Sequence, residues 1–62
     1  MSSVTTIIEL SNSISDIEKN ILSAYQIAAS TENKYIQNLI EKLLPSIFDR
    51  RTTLLALLAG AS

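Results

Sequence analysis

ENKYIQNLIEKLLPSIFDRRTTLLALLAG, residues Glu32 to Gly60, carries more apolar surface than a one-sided helix can hide. Ile36, Ile40, Leu43, Ile47, Leu54 and Leu57 fall on one stripe at helical spacing, with Arg50 in the slot between Ile47 and Leu54. Leu39, Leu44, Phe48, Leu55 and Leu58 lie beside that stripe and widen it beyond what one partner helix covers. Pro45 lacks the amide hydrogen a helix needs and crowds the carbonyl four residues back, so it predicts a kink or a split at that point. The stripe carries across from Leu43 to Ile47, which favours a kink over a separate third helix beginning at Pro45. Gly60 reads as the C-terminal cap, leaving Ala61 and Ser62 loose.

Working back toward the N-terminus, Ser30 to Lys34 is a polar run without Gly or Pro. Continuing the periodicity of the first half past Ala28 places Thr31, Tyr35, Asn38, Lys42 and Pro45 on a buried stripe, which is untenable. The chain therefore turns at about residues 30–33, with Ser30 or Thr31 capping a second helix over about 32–59 and Glu32 in its first turn. Before the turn, Ile7, Leu10, Ile14, Ile17, Ile21, Ala24 and Ala28 alternate spacings of three and four, the seam of one helix over about residues 3–29. Met1 to Ser3 is a frayed start with Ser2 or Ser3 as N-cap, and Thr6 with Glu9 offers a second start. Ser11, Asn12, Ser13 and Ser15 compete for backbone hydrogen bonds and mark a weak point, with Ser15 and Glu18 able to cap a new start. The seam crosses them without losing phase, so the helix is read as continuous.

Two helices of similar length joined by a few residues pack antiparallel. A turn near Thr31 sets Ala24 and Ala28 against Tyr35, Ile36 and Leu39, Ile14 and Ile17 against Phe48 and Pro45, and Val4, Ile7 and Ile8 against Leu54 to Leu58. The expected architecture is all-α: one domain, residues 1–62, an antiparallel two-helix hairpin that pairs into a four-helix bundle.

The pairing is expected from size. A chain of 62 residues that is 47% hydrophobic has too little interior for its own apolar side chains, and no Cys or His is present to supply a disulfide or the usual metal ligands. Five Lys and Arg against six Asp and Glu give a net charge of −1, so no long-range field steers the chain to nucleic acid or to an anionic membrane. The opening MSSVTTIIELSNS lacks the basic start of a secretory signal. The uncharged run Thr52 to Ser62 makes about 16 Å of helix against a hydrocarbon core of about 30 Å. The lack of Cys fits a cytoplasmic location.

Chemistry has few candidates. Asp16 with Glu18 and Glu32 with Glu41 are the available carboxylate pairs, neither on a shared helical face, and Asp49 is placed for local ion pairs with Arg50 or Arg51. The lone glycine, Gly60, cannot form a phosphate loop. No catalytic, cofactor-binding or metal-binding residue is expected, and no enzyme. Arg50 and Arg51 are expected to leave the helix edge for water, or for Glu9 across the hairpin, or to set partner register. Tyr25 and Tyr35 flank the turn as lids of the bundle end. The sequence thus points to a non-enzymatic interaction module of the adaptor, inhibitor or co-chaperone kind. It meets a second copy or another protein through the apolar face of helix two, at Leu44, Phe48, Leu54, Leu55 and Leu58 with Arg50 and Arg51. The alternative is a small dimeric nucleic-acid-associated regulator using Arg50, Arg51 and Lys42.

Overall fold

The structure, a computed structural model, describes residues 4–61. Two helices, α1 (Val4–Ser30, 27 residues) and α2 (Lys34–Ala61, 28 residues), pack against each other as a hairpin with extents of 48 × 15 × 10 Å. The expected caps at Ser2 or Ser3 and the loose Ser62 lie outside the described residues.

The seam of α1 is the one its spacing predicts. Ile14 and Ile17 are buried, and Ile7, Leu10, Ile21, Ala24 and Ala28 on the same line are half-buried. The helix runs through Ser11, Ser13 and Ser15 without interruption and is already under way at Thr6, so neither internal capping sequence starts a new helix. Continuity of the apolar row outweighs the weak local preference of the serines.

The turn is shorter than expected and is capped by a different residue. The α1 helix includes Ser30, whose hydroxyl donates back to the Gln26 and Ile27 carbonyls at 2.9 and 3.3 Å, and the Thr31 amide closes a last turn on Ile27 at 2.9 Å. Asn33, not Ser30 or Thr31, caps α2: its Oδ1 accepts from the amides of Tyr35 (2.9 Å) and Ile36 (3.3 Å). Thr31 contributes one step earlier, its Oγ1 accepting from the Asn33 amide at 3.1 Å. Gln37 then reaches back from the first turn of α2, donating to the carbonyls of Thr31 (2.9 Å) and Ala28 (3.4 Å). The Ala28 carbonyl, which the end of α1 leaves without a helical donor, is thus met by the Gln37 side chain from beyond the turn. No described residue needs a left-handed backbone, which is how the chain reverses without glycine.

Helix α2 is continuous across Pro45, so a separate third helix does not form. Pro45 and Glu41, whose carbonyl loses its usual donor there, are both exposed, and water can replace the missing amide. Gly60 is not a cap, because α2 runs through it to Ala61 with no positive φ.

The buried line of α2 is rotated from the expected one. Ile40, Ile47 and Leu54 are half-buried as anticipated, but the alternating positions are Leu44, Arg51 and Leu58, while Leu43 and Leu57 are 51% and 55% exposed. Register shifts as well: Glu18 is joined to Arg51, and Thr6 and Leu10 line a groove with Leu57, Gly60 and Ala61. The centre of the antiparallel pairing therefore falls near Asn33 and Lys34 instead of Thr31. That centre sets Ile17 at about the height of Arg51 and Ile14 at about that of Leu54, in place of the expected Pro45 and Phe48. The shift in register goes with the start of α2 at Lys34, and the phase with the contacts that Arg51 and Gln37 make across the hairpin.

Candidate interaction surface

Two antiparallel helices are related by a local two-fold axis normal to their common plane, so equivalent positions flanking the two seams share a side of the hairpin. The groove of about 470 Å³ that brings Thr6 together with Leu57 and Gly60 marks one such side. The other carries Glu18. Here the first flank denotes the side holding Glu18, and the second flank the side holding Thr6, Arg50 and Leu57.

On the first flank, α1 presents Val4, Ile8, Leu22 and Tyr25, exposed by 72, 53, 59 and 51%. Helix α2 presents Phe48 and Leu55 there, exposed by 39 and 37%, together with exposed Pro45 and Thr52. Apolar surface thus comes from both helices. The Thr52 hydroxyl donates to the Phe48 carbonyl at 3.0 Å, which leaves the methyl group to dominate what that side chain shows its surroundings.

The second flank is divided. Helix α2 offers Leu39, Leu43 and Leu57, but α1 offers exposed Glu9, Asp16 and Asn20 beside the single exposed Ile27. Burying that side means taking carboxylates out of water, a cost the first flank avoids on α1 except at Glu18.

Glu18 is already compensated. Arg51 Nε and Nη2 both donate to its Oε1, at 3.3 and 3.2 Å. The side chains are 37 and 52% exposed, so the pair contributes at most about 1 kcal/mol and serves to mark register. The expected partners were different, Glu9 for the arginines across the hairpin and Asp49 locally; the pair forms from Arg51 to Glu18 because Arg51 occupies the seam.

The residues read from the sequence as an interface are therefore dispersed. Leu44, Leu54, Leu58 and Arg51 line the seam against α1, Phe48 and Leu55 lie on the first flank, and Arg50 lies on the second. Arg50, Arg51 and Lys42 point to three different sides of α2. Tyr25 and Tyr35 do flank the turn, Tyr35 being 74% exposed on the outer side of α2. Among the described residues no three acidic side chains come together in a way that could hold a metal ion. No described helix is long and apolar enough to cross a membrane.

Sequence reasoning set Val4 and Ile8 against Leu54 to Leu58 and Tyr25 at the turn, and did not join them into the exposed row they form on α1. Val4, Ile8, Leu22 and Tyr25 recur at helical spacing on one line beside the seam, a signal masked by the serines between them. A scan of protein-family models and searches of curated proteins and of solved structures find no match to this chain.

Proposed function

We propose that this chain is a non-enzymatic helical interaction module whose core is completed by association through apolar surface flanking the seam of α2, with a second copy of itself as the partner and a four-helix bundle as the product. The carrying observation is burial: among the described residues only Ile14 and Ile17 fall to 7 and 8% exposure, and no side chain is fully buried. A domain that must offset the conformational entropy of some sixty residues cannot do so with two buried isoleucines. Exposed Leu, Ile, Phe and Tyr on both helices supply the missing apolar area. A bend in α2 at Pro45 would let that helix follow the curvature of a bundle. Such a bundle presents outer polar faces, including Lys19, Gln26, Lys42 and Asp49, to whatever it adapts or inhibits.

Sedimentation equilibrium of the chain and of Leu55→Asp tests this. The parent is expected at twice the 6.8 kDa chain mass or more, and the variant at monomer mass with reduced helicity, because Leu55 is outside the seam and a charge there opposes the association. A parent that stays monomeric and fully helical at about 100 μM, a concentration at which weak specific dimers populate, contradicts the reading.

A further inference from the structure

We infer that the second copy docks on the first flank, about a two-fold axis that runs across both helices over Ser15 and Thr52 and sets the two turns at opposite ends of the bundle. This rests on the self-association proposed above and specifies its geometry.

A two-fold interface is made of one patch meeting itself, so a row lying along it must match its own reverse. The exposed row of α1 does so about Ser15. Ile8 mirrors Leu22, Val4 mirrors Tyr25 to within one residue, and polar Ser11 mirrors polar Glu18 likewise. The row of α2 does so about Thr52, where Pro45 mirrors Ala59 and Phe48 mirrors Leu55 to within one residue.

These two centres are independent in sequence yet stand side by side in the hairpin. The Glu18–Arg51 contact fixes the relative height of the helices, and Ser15 lies three residues from Glu18 while Thr52 lies one residue from Arg51, both toward the chain ends. A single axis therefore serves both rows. It brings α1 against α1 of the copy and α2 against α2, each pair antiparallel, with apolar residues meeting apolar ones away from the centre.

Charge agrees. At the axis stand two small hydroxyl residues, so no charge meets its own copy there, and Thr52 already donates its proton within its own helix. Glu18 is neutralised by Arg51 before docking. The second flank lacks this compatibility, since α1 carries Glu9 and Asp16 there. Centred there, the two copies overlap along about 30 Å of helix, set by the distances from Ser15 to Val4 and from Thr52 to Ala61, and the turn of each extends beyond the other.

The chain has no cysteine, so single-cysteine variants report the geometry without background. A direct disulfide requires the two Cβ atoms to approach to about 4 Å, which a residue on the axis satisfies. Ser15→Cys and, on the second flank at nearly the same height, Ser13→Cys are oxidised gently, with sedimentation and helicity measured on the reduced forms. The expected result is a dimer in both reduced samples, a covalent dimer as the main product from S15C, and little from S13C. Dimeric samples in which S13C cross-links as well as or better than S15C overturn this geometry and leave self-association standing. Reduced samples that are helical monomers overturn both.

Discussion

Asn33 is the residue on which the reversal of the chain turns. Its side chain is the acceptor for two amides of the first turn of α2, and Thr31 and Gln37 complete the local accounting of donors and acceptors. Replacing Asn33 by Ala is expected to destabilise the fold by about 1 kcal/mol in urea unfolding, the usual cost of a lost N-cap, whereas Glu32→Ala next to it should change little. Gly60 presents the opposite case. It sits inside α2 without a positive φ, and a Cβ built there meets nothing within 4 Å. Gly60→Ala is therefore expected to stabilise the helix by about 0.5–1 kcal/mol, seen as a higher melting temperature, through the smaller entropy lost on folding.

The two elements differ in how much of them could be read. The seam of α1 was legible because one phase alone lines up Ile7, Leu10, Ile14, Ile17 and Ile21. In α2 two phases are equally good. They share Ile40, Ile47 and Leu54 and differ in choosing Leu43 or Leu44, Arg50 or Arg51, and Leu57 or Leu58, which are chemically identical pairs. Only contacts across the hairpin break that tie, namely Arg51 with Glu18 and Gln37 with the Ala28 carbonyl near the end of α1, and neither is encoded locally. For the same reason the residues expected to form one surface separate, since rotating the phase carries Leu44 and Leu58 into the seam and leaves Phe48 and Leu55 outside. The difference is measurable. Ile14→Ala should cost about 2–4 kcal/mol and Leu44→Ala a clear fraction of that, while Leu43→Ala should cost about 0.5 kcal/mol or less by chemical denaturation. Equal losses at Leu43 and Leu44 would restore the other phase.

At the scale of the whole molecule, the hairpin is a thin object, 10 Å in its smallest extent, and two helices that touch along one line shield only that line. On the proposed self-association, its stability depends on how much of the chain is associated. If a second copy supplies the rest of the core, folding and pairing are one equilibrium, and mass action couples them. The most direct measurement is the melting temperature by circular dichroism over a hundredfold range of chain concentration. The expected result is a melting temperature that rises steadily with concentration, with loss of helicity on dilution at fixed temperature. A melting temperature independent of concentration, in a sample that is monomeric and helical throughout, would show that the hairpin stands alone and would contradict the central claim.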